Sequence, residues 1–355
     1  MRSYLATGSL KNKWRRAPQR RKEICNLHPK ALDLLICPTC AVPLRVAEIT
    51  RDEAGEIIEG RLDCGRCSKS VPVVRGVPRF VPSENYAANF GFQWNRYDRI
   101  QLDKVMGNNL SRDRWNATTG WPANLQGQRI LEAGCGAGRF TELALETGAE
   151  LYSFDLSDAV DANYKNHAAP NLHLFQASIY DIPVRAASFD KLFCMGVLQH
   201  CPDVKKAFLS LVPFLKPGGE VVIDVYQMHS GIPPLKYWAR PFVRHMKTES
   251  IYKLLHWTIP LAFEVKKAIH HIPAVGPTIA KAIPIGPISH APRLNYTDDE
   301  LKEVKILSAL DMLSPTYDQP QKIEDVRAWF EEAGFVEVKT WLGYNGINAR
   351  GRRPS

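Results

Sequence analysis

The run Ile130–Phe140 (ILEAGCGAGRF) constrains this chain more than any other stretch. It sets glycines at 134, 136 and 138 between an apolar run, Arg129–Ala133, and a helix-forming stretch, Phe140–Thr147, with Gly148 placed as a C-terminal cap. Such a turn must be tight and must let a ligand approach the backbone. Glycine permits both, because it lacks Cβ and tolerates positive φ. An acidic residue, Asp155, ends the next apolar run, Leu151–Asp155, 23 positions after Glu132. A carboxylate there can take both hydroxyls of a ribose. Further apolar runs at Leu172–Gln176, Phe189–Met195 and Glu220–Tyr226 alternate with helical stretches, which predicts a parallel sheet covered on both faces. The pattern resumes late, with a helix over Lys322–Ala333 stopped by Gly334 and strands over Phe335–Leu342 and Gly346–Arg350.

The glycine spacing separates the nucleotide-binding classes. A dinucleotide fold shows G-x-G-x-x-G, whereas here the third glycine comes one residue early, and no Gly-Lys-Ser/Thr of a P-loop is present. Glu132, before the first glycine, favours a methyl donor, because a carboxylate there can lie near the amino acid end of that ligand. The chain resembles the class I S-adenosylmethionine-dependent methyltransferases in a series of ordered motifs. EAGCGAG is similar to the family's donor loop, FDLSDA (Phe154–Ala159) to its second strand end, and ASIYDIP (Ala177–Pro183) to the segment that lines the adenine. SFDKLFCMGVLQHCPD (Ser188–Asp203) and LKPGGEVVI (Leu215–Ile223) match the fourth and fifth motifs. The fourth most resembles that of the ubiquinone-biosynthesis O-methyltransferases.

The resemblance implies an α/β fold, with a Rossmann-like seven-stranded sheet and S-adenosylmethionine as cofactor. It implies donor contacts from Glu132, Gly134, Cys135, Gly136, Gly138, Asp155, Leu156, Ser178, Ile179 and Met195. Ser178 is a departure, since the family often has Asp before the adenine segment. A hydroxyl bonds an amino group more weakly than a carboxylate does, so the Ile179 backbone is the firmer adenine contact.

Of the eight cysteines, four form two pairs, Cys37-x-x-Cys40 and Cys64-x-x-Cys67, separated by 23 residues. The intervening runs Leu44–Arg51 and Ile57–Cys64, with a turn at Glu53–Glu56, read as a β-hairpin, and Val71–Phe80 as a third, edge strand interrupted by Gly76 and Pro78. Two knuckles joined by a hairpin can bring four thiolates to one tetrahedral ion, the geometry that selects zinc. A redox dithiol is the competing reading. A closed four-cysteine site leaves no open position for catalysis, so the zinc is structural. The module resembles the small zinc-ribbon subunits that activate tRNA and protein methyltransferases, here fused to the enzyme, and the zinc end of some rRNA guanine methyltransferases.

These readings divide the chain into a basic tail (1–30), the ribbon (31–83), a connector that caps the donor (84–125), a methyltransferase core (126–226 and 320–355) and a mainly helical insertion (227–319). The insertion carries short amphipathic runs, Ser250–Leu255 and Glu264–His271, and Thr297-x-x-Glu300 looks like a capping box. Charge is uneven: residues 1–30 hold nine Lys/Arg against one acid, and residues 227–293 nine against two. Such patches suit phosphates, nucleic acid or an anionic membrane, although a solvated tail is the simpler reading for residues 1–20. No secretory signal, transit peptide or spanning helix is expected, and a cytoplasmic protein, peripheral to a membrane or free of it, fits.

Methyl transfer to oxygen needs a base, and His200 ends the fourth motif at the right end of the sheet. Packing of a helix start is the competing role for His200. Phe90 and Trp94 are candidate donor caps, and Tyr317, Asp318, Tyr344 and Asn345 candidate acceptor contacts; core or loop packing is the alternative for each. Six of ten histidines lie in the insertion, without the spacing of a second metal site. The favoured function is methyl transfer to a small-molecule or lipid- or sugar-linked acceptor, with the insertion as lid. An RNA methyltransferase gripping phosphates through ribbon and tail is the second reading, weakened by the absence of an N-P-P-Y/F-type motif. A non-catalytic binding module is the third. The oligomeric state is left open.

Overall fold

The computed structural model describes residues 27, 29–51, 57–167, 169–228, 235–285 and 296–355. Most of the basic tail and the expected turn at Glu53–Glu56 lie outside the described residues.

A short helix, α1 (Pro29–Leu32), precedes the ribbon strands β1 (Leu44–Arg51) and β2 (Ile57–Cys64). These pair antiparallel from Leu44 opposite Cys64 to Arg51 opposite Ile57, with bulges near Glu48 and Thr50. The run read as one interrupted strand is two, β3 (Ser70–Val74) and β4 (Val77–Pro78), paired antiparallel. Arg75 and Gly76 between them have φ of 51° and 74°, the two successive positive values that a two-residue type I′ hairpin requires.

The connector forms α2 (Ala88–Arg96), α3 (Asp103–Met106) and α4 (Leu110–Thr119). The core then runs β5 (Arg129–Ala133), α5 (Thr141–Glu146), β6 (Glu150–Asp155), α6 (Val160–Asn166), β7 (Leu172–Gln176), β8 (Phe189–Met195), α7 (Val204–Leu211) and β9 (Leu215–Val225). The insertion adds α8 (Leu235–Val243), α9 (Thr248–His270), α10 (Gly276–Ala280) and α11 (Asp298–Leu313), and the chain closes with α12 (Ile323–Glu332), β10 (Val336–Gly343) and β11 (Gly346–Arg352). The large sheet has the order β10-β11-β9-β8-β5-β6-β7, with β11 antiparallel to both neighbours and the other pairs parallel. This is the seven-stranded Rossmann-like sheet expected from the motifs. Strand order reverses between β5 and β8, and in such sheets ligands bind at that switch point, beyond the carboxyl ends of the strands.

The two short amphipathic runs of the insertion are parts of one helix. Ile251, Leu255, Ile259 and Phe263 of α9 are buried at helical spacing straight across Pro260, the first three packed with Tyr97, Ile100 and Leu310. Burial of that face outweighs the rung lost at an internal proline, about 3 kcal/mol. The capping box at Thr297 forms as expected: Glu300 N donates to Thr297 Oγ1 (3.2 Å) and Thr297 N to Glu300 Oε2 (2.8 Å).

The ribbon covers an edge of the large sheet. Phe80 N donates to Gln176 O of β7 (2.9 Å), Ile36 N to Pro183 O (2.9 Å) and Arg185 N to Leu34 O (3.0 Å). Leu35, Ile57, Leu62 and Val71 join Phe154, Phe175 and Val184 in one apolar core. Asp161 of α6 receives Arg79 Nη2 (2.6 Å) and Arg75 Nη2 (2.5 Å) from the ribbon. Asp161 and Arg79 are each 10% exposed, so removing the carboxylate leaves a buried guanidinium uncompensated. Asp161→Ala should therefore cost about 3 kcal/mol of stability, read as a lowered urea midpoint.

Candidate active site

The loop after β5 is held by the strand beside it. Gly134 N and Cys135 N both donate to Phe154 O of β6 (2.8 and 3.0 Å). Gly134 has φ of 80°, and a Cβ there would lie 2.3 Å from Val197 Cγ2. At Gly138, φ 92°, a Cβ would lie 2.5 Å from Asn163 Oδ1, so the third glycine admits α6 rather than a ligand. Gly136 N donates to Asp155 Oδ2 (2.9 Å), while Asp155 Oδ1 accepts from Ser157 N (2.8 Å) and Ser157 Oγ (2.6 Å). Burial raises the Asp155 pKa, against the hydrogen bonds from Ser157.

A cavity of about 1100 Å³, its open mouth included, lies over this loop. Of the residues singled out by sequence, Gly134, Cys135, Gly136, Asp155, Leu156, Ile179, Met195 and His200 stand on its wall. Phe90, Trp94 and Asn345 also line it.

Three expected donor contacts are elsewhere. Glu132 lies behind the loop, fully buried, with Oε2 accepting from Thr141 Oγ1 (2.6 Å) and Ser153 Oγ (2.6 Å); burial pushes its pKa up to about 7. It braces the turn instead of facing a ligand's amino acid end. Gly138 and Ser178 are off the wall as well, and Ser178 Oγ is spent on Tyr180 N (3.2 Å). Among the acceptor candidates, Asp318 and Tyr344 do not line the cavity, and Tyr317 acts through its carbonyl.

The far end of the cavity is polar. His200 Nδ1 contacts Tyr317 O (3.0 Å), which assigns the proton to Nδ1 and makes Nε2 the acceptor of the neutral ring. Burial lowers the His200 pKa, opposed by the charge of Asp311. Asp311, at the end of α11, accepts from Gln93 Nε2 (3.0 Å) and Tyr226 OH (3.4 Å).

Two arginines complete the wall, and sequence reasoning passed over both. Arg114 of α4 bonds Asp224 Oδ2 through Nε (3.0 Å) and Nη2, while Asp224 Oδ1 accepts from Gly196 N (2.6 Å) and Asn345 Nδ2 (3.2 Å). Arg139 donates through Nε to Ser111 Oγ (2.9 Å) and makes no ion pair among the described residues. Burial, then the nearby Arg114, lowers its pKa to about 10. The signal for Arg139 was in plain view, a basic residue directly after the third glycine; Arg114 had none.

Comparison with known proteins converges on the same segment. The methyltransferase domain family matches residues 131–223, from the glycine loop through β9. Residues 131–223 therefore carry a methyltransferase domain. An uncharacterized protein of a Synechococcus species is 35% identical over 115 residues, 30% of this chain and 28% of that protein. A ubiquinone biosynthesis O-methyltransferase of Coxiella burnetii is 31% identical over 100 residues, 27% of this chain and 43% of that enzyme. The chain thus spans less than half the length of these curated relatives. Among solved structures, an S-adenosylmethionine-dependent methyltransferase from Mesorhizobium loti is similar, at 26% identity over 32% of this chain and 53% of that one, with a TM-score of 0.29.

The methyltransferase domain is joined to a possible metal centre. The sulfurs of Cys37, Cys40, Cys64 and Cys67 all lie within 4.8 Å of one another, and Cys37 Sγ is 3.7 Å from Cys67 Sγ. A tetrahedral ion with Zn–S bonds of about 2.3 Å needs sulfurs about 3.8 Å apart. Cys64 Sγ accepts from Arg66 N (3.3 Å) and Cys67 N (3.4 Å), and the first of these does most to lower its pKa to about 6. The donor set therefore suits a divalent ion bound by thiolates.

Asp155→Ala removes the anchor of Gly136 together with the carboxylate that the motif resemblance assigns to a ribose. Hydrogen bonds to a charged group contribute about 1.5–3 kcal/mol, so affinity for S-adenosylhomocysteine should fall about ten- to a hundredfold in calorimetry; unchanged affinity would place the donor elsewhere.

Proposed function

We propose that the protein transfers the methyl group of S-adenosylmethionine to the oxygen of a small-molecule or lipid- or sugar-linked acceptor. The observation that carries this reading is that the glycine loop, Asp155 and a carbonyl-oriented His200 line one and the same cavity. The donor supplies a methyl group already activated on a sulfonium. The protein's part is mainly to bring an acceptor oxygen into line with it.

The loop backbone and Asp155 would hold the ribose, and Arg139 would meet a carboxylate of the ligand. Phe90 and Trp94 of α2 close the cavity and exclude water. His200 Nε2 would take the acceptor's hydroxyl proton as the C–O bond forms and the sulfonium S–CH3 bond breaks, with S-adenosylhomocysteine as the leaving group. Tyr317 O holds the ring during that step, and Asp311 offsets the charge the imidazole gains. The Coxiella relative, named as an O-methyltransferase, is consistent with oxygen as the target. The four cysteines would hold a structural zinc. The RNA reading has less behind it, because much of the ribbon's apolar surface is buried against the sheet.

The pH dependence follows from burial. A buried His200 is neutral at pH 7, so kcat/KM should rise with pH through an apparent pKa below 6.5 and then level off. His200→Asn keeps an amide to meet Tyr317 O but removes the base. It should lower kcat about a hundredfold or more and leave S-adenosylhomocysteine affinity intact; an unaltered kcat would exclude His200 as base. Metal analysis should find one zinc per chain, and Cys64→Ser should reduce that occupancy and the thermal midpoint together.

A further inference from the structure

Helix α9 is apolar on two faces. One packs into the body through Ile251, Leu255, Ile259 and Phe263. The other presents Leu254, Trp257, Leu261 and Val265, spaced by three, four and four residues and 44%, 71%, 56% and 45% exposed. That spacing makes one continuous outward stripe. Helix α10, packed on α9, adds Val275 and Ile279 one turn apart, and α8 adds Trp238 (63%) and Phe242 (81%). Ten of the sixteen large apolar side chains that stand exposed among the described residues fall between 238 and 279. Soluble surfaces rarely concentrate apolar groups this way unless something covers them.

The charges around the stripe indicate what does. Residues 235–285 hold eight Lys/Arg against two acids, Glu249 and Glu264. Both acids are neutralised locally, Glu249 by Lys253 (2.9 Å) and Glu264 by Lys302 (2.5 Å). Arg244 and Lys247 just beyond α8, and Lys281 just beyond α10, make no ion pair among the described residues. Two copies meeting through this surface would bring like charges together. An anionic bilayer instead offers phosphates to the cations and an acyl boundary to the tryptophans, the pattern of a helix lying in the interface plane. None of the described helices is long and apolar enough to cross a membrane.

We infer that α8, α9 and α10 form a docking surface that seats the protein on an anionic lipid bilayer. The surface adjoins the acceptor end of the cavity. Buried Arg240 ties α8 to Met312 O (3.0 Å) and Pro315 O (2.9 Å), two residues from the Tyr317 carbonyl that orients His200. Helix α11, against which α8 and α9 pack, supplies Asp311 to the wall. A docked molecule therefore holds the helices packed on the Asp311-bearing helix against the lipid, whatever chemistry follows there.

The test is co-sedimentation of the full-length chain with phosphatidylcholine vesicles, with and without phosphatidylglycerol. Wild type should pellet with the anionic vesicles and stay soluble with the neutral ones. A Trp257→Ser/Leu261→Ser variant and an Arg244→Glu/Lys247→Glu variant should each lose at least about tenfold of that partitioning. Calorimetry with S-adenosylhomocysteine checks the fold, and its affinity should be unchanged in both variants. No partitioning of wild type, or equal partitioning of the variants, overturns the proposal. A wild-type dimer that ignores vesicles and becomes monomeric in the serine variant overturns it in favour of a second copy. Vesicle binding without any donor binding would overturn the methyl-transfer reading and leave the docking surface standing.

Discussion

The carboxylate of Asp224 sits at the end of β9, fully buried, and four parts of the chain meet on it. Arg114 comes from the connector, Gly196 N from the turn after β8, and Asn345 from the hairpin between β10 and β11. The side of the cavity beyond the switch point is organised around this group. A buried charge pair of this kind is a poor source of net stability, since desolvation takes back most of the Coulomb gain. What it supplies is registration: only one placement of α4, the β8 turn and the last hairpin satisfies both carboxylate oxygens. Arg139 makes no ion pair among the described residues: nearby Asp224 is committed to Arg114, and Asp103 accepts from the amides of Ser111 and Arg112.

The donor loop follows a related logic, with backbone amides in place of guanidinium. Phe154 O fixes the entry to the turn and Asp155 its middle, so β6 positions the loop that β5 delivers. Glu132 completes the arrangement from behind, tying the start of α5 to β6 through two hydroxyls. The acid before the first glycine is thus a strut for the turn.

Local periodicity carried most of the fold. β1, β2, β7 and β8 begin and end where the alternating and apolar runs do, because hairpin and parallel strands are specified within a few residues. The misreadings are places where distant packing decides. The insertion read as separate short amphipathic runs, and only the burial of Ile251, Leu255 and Ile259 with Tyr97 and Ile100 of the connector shows why they form one helix. Gly76 and Pro78 read as interruptions of a strand, yet the turn at Gly76 lets Arg79 and Phe80 meet Asp161 and Gln176 some eighty to a hundred positions later. In the site, the glycine loop, Asp155 and His200 were legible because motif spacing is local. Arg114 and Asp224 were not, since a pair 110 residues apart leaves no mark in either neighbourhood.

The ribbon has one further consequence. Its last strand lies along β7, and its apolar face is continuous with the core beneath that edge. A strand edge stripped of its cover presents unpaired amides and carbonyls that template intermolecular pairing. Opening the cysteine cluster would therefore loosen the cover of a core that also holds Phe154, Ala177 and Ile179 of the cavity wall. It would limit how long the folded chain escapes self-association. In this protein, metal supply and thiol redox state would govern solubility and lifetime.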